Sequence, residues 1–255
     1  MKTKRFTYSA AVFLLPLLSV LLLWVIYWMQ IRLGFDFYEH GIFPRTFLGL
    51  QGVVFSPFIH ADLHHLLNNS LPLLVLLAAL RFFYPQESLP ILFYGMVFSG
   101  FFTWLIGRPD YHIGASGLIY VLVSFIFFKG MQSRYYRLMA LSFAVVVMYG
   151  GMVWYVFPDV DETMSWEGHL SGLLVGFLLS LFYKLPELKK VIKYYWEDPN
   201  FDPSSDPFMR QFDANGNFIP YKEEVEVEEQ QNFSDNYFNC SHNVTYDVRK
   251  QEPES

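Results

Sequence analysis

Six apolar runs, each close to the length that crosses a bilayer, constrain this chain more than any other feature. They fall at about residues 10–29, 66–83, 89–106, 116–128, 138–156 and 168–183. Hydrocarbon offers the backbone no hydrogen-bond partner, so a spanning segment must be a helix of about 20 mostly apolar residues. The runs therefore predict an all-α membrane protein, a six-transmembrane-helix bundle over residues 1–185. Residues 186–255 are expected to be a separate, flexible polar tail. The first run follows Lys2, Lys4 and Arg5, as a signal peptide would. It is too long for a cleavable apolar region and lacks a small-residue cleavage site, so it is expected to remain as a span. The fourth run is short, and the second contains Pro72, where a kink is expected.

Charge is what these runs lack. Only 16% of the residues are charged, against about 25% in a soluble domain. The net charge of -6 is concentrated in the tail, with its acidic run Glu223–Glu229. That distribution excludes a nucleic-acid partner, which needs a basic stripe. The single cysteine, Cys240, excludes an intramolecular disulfide and a cysteine metal cluster.

The remaining Lys and Arg residues orient the spans. One face receives Lys2, Lys4 and Arg5, then Lys129, Arg134 and Arg137, then Lys184, Lys189, Lys190 and Lys193. The other receives Arg32, Arg45 and Arg108, but its last loop carries only Asp159, Asp161, Glu162 and Glu167. Both termini are thus expected on the cytoplasmic side of a plasma or inner membrane. The aromatic stretch 30–59 is expected to lie in the outer interface.

Polar groups within apolar spans are costly and point to function. Three places carry them: His60-Ala-Asp-Leu-His64-His65-Leu-Leu-Asn68-Asn69-Ser70, Gly114-Ala115-Ser116-Gly117 and Gly168-His169-Leu170-Ser171-Gly172. All lie at the outer ends of their helices in this topology, so they can converge in one layer. If Lys129 marks the inner interface, about 20 Å of helix separates it from Ser116, which puts Ser116 below the outer surface.

Gly168, Gly172 and Gly176 recur every four residues and form a ridge that admits another backbone. The small Ala115-Ser116-Gly117 face is its natural partner, and close approach brings His169 to the Ser116 hydroxyl. Serine becomes a nucleophile when a base takes its proton, and histidine is the usual base. His112 is a rival base. Donors for an oxyanion are available at the Ser116 amide and on the second helix, where His65/Asn69 and His64/Asn68 share the same i, i+4 spacing. Small residues serving helix packing alone, or zinc held by His60, His64 and His169, are the competing readings. Zinc lacks both a His-Glu-x-x-His motif and a carboxylate beside those histidines. No metal or other cofactor is expected.

On these motifs the region of about 8–185 resembles the rhomboid family of intramembrane serine proteases. The family's second-helix pattern is matched by His60, His65 and Asn69, and its Gly-x-Ser-Gly by Gly114, Ser116 and Gly117. Its sixth-helix base with following glycines is matched by His169, Gly172 and Gly176. The resemblance implies a Ser116–His169 dyad without a carboxylate, Tyr120 packed on the imidazole, and His65, Asn69 and His60 supporting the oxyanion. It implies, as partners, transmembrane protein substrates entering sideways from the lipid bilayer, cut at segments with small or helix-breaking residues. One departure is the absent Trp-Arg pair of the first loop, for which Arg45-Thr46 is the nearest feature. A non-catalytic relative that binds membrane proteins is the alternative, although such relatives typically lose the serine or the histidine. A transporter with a histidine relay would need an internal repeat, which is not found. The tail carries sequons at Asn232, Asn239 and Asn243 and a possible strand around Val225–Val227, and receives no function. No motif specifies a particular substrate or an oligomeric state.

Overall fold

A computed structural model describes residues 9–158, 160, 161, 163–184, 194, 200–213 and 215–219. The chain divides into two compact units, Met1–Lys190 and Val191–Ser255.

The first unit is helical. Its helices are α1 (Ala11–Leu33), the short α2 (Gly52–Phe55), α3 (Leu63–Phe83), α4 (Ser88–Ile106), α5 (Ser116–Ser133), α6 (Tyr136–Tyr149) and α7 (Trp166–Phe182). A 3-10 stretch, Gly150–Val156, continues α6. Among the described residues, five segments are long and apolar enough to cross a bilayer: α1, α3, α4, α5 and Tyr136–Val156. The sixth apolar helix, α7, has 17 residues. α3 runs through Pro72 as one element, and Asp62 opens it by accepting the His65 N–H at 2.8 Å.

The distribution of polarity is turned outward-apolar. Val147 is 85% exposed and Phe182 80%, and Leu14, Leu17, Leu18 and Leu21 of α1 face outward, as they would toward lipid. Hydroxyls sit inside, several of them on backbone carbonyls: Thr103 to Ser99, Ser124 to Leu173 at 2.7 Å, Ser142 to Phe127 at 2.9 Å. In hydrocarbon such bonds and small residues, rather than water exclusion, hold helices together.

α5 is the central helix. Half of its span is buried, against 17% for α1 and for the α6 span. Its chief neighbour is α7, and glycine is what permits the fit. A Cβ on Gly172 would lie 2.1 Å from the Gly117 carbonyl oxygen, and one on Gly176 2.3 Å from that of Val121. Gly130 does the same for α6, where a Cβ would meet Ser142 Oγ at 2.0 Å.

The fourth span departs from its expected bounds. It continues past Phe128 to Ser133, about 27 Å of helix. Lys129 therefore lies within the helix and is 3% exposed. Its ammonium donates to the carbonyls of Ser180, at 2.7 Å, and Tyr183, closing the end of α7. The last carbonyls of a helix lack intrahelical donors and carry negative partial charge, which is what a buried ammonium requires. Arg134 and Arg137 are left to mark the connection.

The stretch between α1 and α3 is ordered by three 3-10 turns and α2. Ile42 pairs antiparallel with His112 through bonds of 3.0 and 2.9 Å, and the Gly114 N–H donates to Ser56 O at 2.8 Å. Arg45, at φ +58°, donates from Nη1 to Gly107 O at 2.8 Å, while the Trp104 indole donates to Thr46 O. A Trp and an Arg do anchor this loop, but the Trp comes from α4. Phe47 and Leu48 remain 87% and 77% exposed.

In the second unit, Asp202 and Asp213 organise turns by accepting backbone N–H groups of Ser204 and of Asn215 and Asn217. Phe212 bridges to Phe218. The acidic run, the sequons and the possible strand at Val225–Val227 lie outside the described residues.

Candidate active site

Three helix starts meet at one level of the bundle. Ser116 is the first residue of α5, reached through Gly114 at φ +104°, a conformation glycine adopts without strain. His169 stands one turn into α7, behind the Ser165 cap that accepts the Gly168 N–H at 3.1 Å. Near the start of α3 come His65 and Asn69, on the face toward Gly114. A Cβ there would lie 2.5 Å from His65 Nε2 and 3.5 Å from Asn69 Nδ2.

His169 Nε2 lies 3.1 Å from Ser116 Oγ, and Nδ1 lies 2.9 Å from the Tyr155 carbonyl oxygen. A carbonyl only accepts, so Nδ1 carries the proton and Nε2 presents its lone pair to the Ser116 hydroxyl. The imidazole is 4% exposed. The Tyr120 ring stacks on it at 4.3 Å and 15°, and the Tyr120 hydroxyl donates to Met152 O at 2.6 Å. The 3-10 stretch after α6 thus supplies two carbonyls, one to each ring of the stack.

Asn69 is buried, and its Nδ2 has no hydrogen-bond partner among the described residues. The Ser116 amide belongs to the first turn of α5, whose N–H groups lack intrahelical acceptors. His60 is fully buried, 5.0 Å from the His65 ring. Burial, and next the neighbouring His65, push its pKa down to about 4. Asp62 is held low by the His65 N–H it accepts. His64 and Asn68 pair with each other on the exposed side of α3, away from Ser116.

His112 is occupied elsewhere. Its Nε2–H donates to Arg108 O at 3.1 Å, and Nδ1 accepts from the Ser165 hydroxyl at 2.6 Å. Burial pushes its pKa down. Sequence reasoning placed Glu167 in an outer loop and expected no buried acid nearby. Glu167 is instead 1% exposed in the first turn of α7. Its Oε1 accepts the Arg108 N–H at 3.0 Å and its Oε2 faces the guanidinium at 3.6 Å. The carboxylate therefore serves Arg108, and the orienting group for His169 is the Tyr155 carbonyl. Both backbone carbonyls, of Tyr155 and Met152, escape sequence reading because any residue supplies one.

A cavity of about 40 Å³ opens beside Ser116, between the first loop (Ile42, Val53, Ser56), α4 (Met96, Ser99, Gly100, Thr103), His112, α5 (Gly117) and the start of α7 (Ser165, Gly168). Among the described residues no group of three or more His, Cys, Asp or Glu is placed to hold a metal ion.

The fold and the site together define a multi-pass integral membrane protein with a half-buried serine and a buried histidine paired among its helices. A family model described as the rhomboid domain matches residues 49–185. The chain belongs to the rhomboid family, whose members are typically intramembrane proteases. It is 37% identical over 164 residues to uncharacterized proteins of Mycobacterium tuberculosis and Mycobacterium bovis, covering 59% of this chain and 66% of theirs. An uncharacterized protein of Mycobacterium leprae is 34% identical over 154 residues, 59% of its length. The match thus spans just under two thirds of the relatives' length.

Proposed function

We propose that this protein is an intramembrane serine endopeptidase that cuts transmembrane segments of other membrane proteins. The observation that carries the reading is the Ser116–His169 hydrogen bond of 3.1 Å, in which the Tyr155 carbonyl selects the tautomer that accepts. In the reaction, Ser116 Oγ attacks the peptide carbonyl carbon as its proton passes to His169 Nε2. The negative oxygen that forms is met by N–H donors from Asn69, His65 and the Ser116 amide, with His60 packed behind His65. The C–N bond then breaks, and His169 returns the proton to the leaving amine. A water, deprotonated by the same imidazole, releases the acyl group from Ser116.

The unpartnered Asn69 amide supports the oxyanion role, because a buried donor without an acceptor awaits one. The cavity beside Ser116 has room for a small side chain next to the cut bond, which favours substrate segments with small or helix-breaking residues. A spanning helix hides its carbonyls, so the segment must unwind locally. Catalysis needs water, and polar groups at this depth are tolerated where they line a wet cavity. Both termini face the cytoplasm on the charge pattern of the sequence, which opens the site to the outer face. Residues 1–185 form the protease domain, and the remainder is a tail.

Cleavage of a model transmembrane substrate by the full chain in liposomes tests the reading. Ser116→Ala and His169→Ala should each abolish product, and a fluorophosphonate should label the wild type but not Ser116→Ala. Cleavage that survives Ser116→Ala overturns it.

A further inference from the structure

The starts of α5 and α7, which carry Ser116 and His169, are tied together by groups that the reaction itself does not use. The loop between α4 and α5 provides Arg108 and His112, and the first turn of α7 provides Ser165 and Glu167. Arg108 grips that turn three times. Its N–H reaches Glu167 Oε1 at 3.0 Å, its guanidinium faces Oε2 at 3.6 Å, and Nη2 donates to Met164 O at 3.0 Å. His112 adds the 2.6 Å bond to Ser165 Oγ while its backbone is pinned on both sides to Ile42.

Each link satisfies a group that would be costly if left alone. Glu167 is 1% exposed, and a buried carboxylate is costly without partners: the Arg108 amide donates to Oε1, while Oε2 has the guanidinium at ion-pair distance and no hydrogen bond among the described residues. Ser165 is used at both ends: its hydroxyl donates to His112 and accepts from Gly168. His169 follows Gly168 directly, so movement of this cap moves the base. The loop's other end runs within four residues from His112 to Ser116.

We infer that Arg108, His112, Ser165 and Glu167 are positioning residues, a clamp that fixes the base-bearing helix against the nucleophile-bearing loop. The inference rests on the proteolytic reading of the site. Arg108 and Glu167 do not line the cavity beside Ser116, whereas His112 and Ser165 do, so Glu167 is the member that tests positioning apart from substrate contact. Reacting groups displaced by 1 Å lose on the order of 100-fold in rate, so the clamp acts on turnover rather than on substrate binding.

The test measures kcat and KM for a model transmembrane substrate in liposomes, with deuterium exchange of the amides of residues 165–170 as a readout free of activity. Ser165→Ala and Glu167→Ala should each lower kcat by roughly tenfold or more and speed exchange at those amides, and Glu167→Ala, whose side chain does not line the cavity, should leave KM within about twofold. Ser165→Thr keeps the hydroxyl and Glu167→Gln keeps an acceptor for the Arg108 amide, so both should recover most of kcat. Losses confined to KM or to melting temperature, failed recovery in the conservative variants, or unchanged exchange overturn the clamp. A wild type that cleaves nothing while its amides respond to the variants sinks the proteolytic reading instead.

Discussion

Gly172→Ala puts one methyl group where two helices have left no room for it. The Cβ would lie 2.1 Å from the Gly117 carbonyl oxygen and 2.8 Å from Tyr120 Cβ. Ordinary contact begins near 3.4 Å, so restoring the first distance requires α5 and α7 to part by about 1.3 Å. His169 lies three residues before Gly172, on the same side of α7. Added to the present 3.1 Å, that shift takes Nε2 beyond hydrogen-bond reach of Ser116 Oγ, and it loosens the Tyr120 stack. Overpacking of this kind costs about 1–3 kcal/mol, which leaves the bundle folded. A displacement of about 1 Å at reacting groups costs on the order of 100-fold in rate. The expected result is a kcat for a model transmembrane substrate lowered about 100-fold, with a melting temperature in detergent reduced by only a few degrees. Gly151→Ala is the control, since a Cβ there meets nothing within 4 Å. A Gly172→Ala enzyme working within about threefold of wild type, or an equal loss in Gly151→Ala, would refute the reasoning.

Two further perturbations reach away from the dyad. Lys129→Met removes the donor to Ser180 O and Tyr183 O at the far end of α7; stability should fall by about 1–3 kcal/mol by thermal melting, with cleavage at temperatures below the melt nearly unchanged. Acid should destabilise the fold through His60, whose native pKa is about 4 against an ordinary 6.5. The unfolded chain takes up a proton as pH falls through 6.5 and the native state does not until about 4. Stability is therefore full above pH 6.5 and falls toward pH 4, by up to about 3 kcal/mol at 1.36 kcal/mol per unit. Melting temperature against pH should show this slope, and His60→Gln should flatten it; a slope unchanged in the variant contradicts the assignment.

What was legible in the sequence is what depends on side-chain identity. Apolar length revealed the spans because lipid demands it, and the Gly168-Gly172-Gly176 spacing announced the face that meets α5. Ser116 and His169 are brought together as the glycine spacing suggests, Tyr120 stacks on His169 as the rhomboid resemblance implies, and His65 with Asn69, not His64 with Asn68, turns toward Gly114. Lys129 hid the last turn of α5 because a charge after an apolar run normally ends the span. Here the end of a neighbouring helix supplies the carbonyls that let it stay inside, and that is a tertiary fact. Glu167 misled for the same reason, since its burial depends on Arg108, 59 positions away. The short signal Ser165-Trp-Glu167 before an apolar run does read as a helix start, but not as a contact with the preceding loop.

The absence of a carboxylate behind His169 follows from where the site lies. An acid there would be a second buried charge near Glu167, and the Arg108 guanidinium is already directed at the first. A carbonyl performs the orienting task at no such cost. The Tyr155 oxygen holds the Nδ1 proton and so fixes the ring's tautomer, while the stacked Tyr120 ring fixes its plane. What a carbonyl does less well is stabilise the imidazolium that forms once Ser116 gives up its proton. In the proposed reaction that charge would develop over the face of Tyr120, whose π-electrons attract a cation, with the Glu167 carboxylate two residues before His169. The arrangement divides the work of a single aspartate between a backbone carbonyl for direction and an aromatic face with a distant, paired acid for charge. On the proposed mechanism a serine and a histidine then suffice among helices that tolerate few ions.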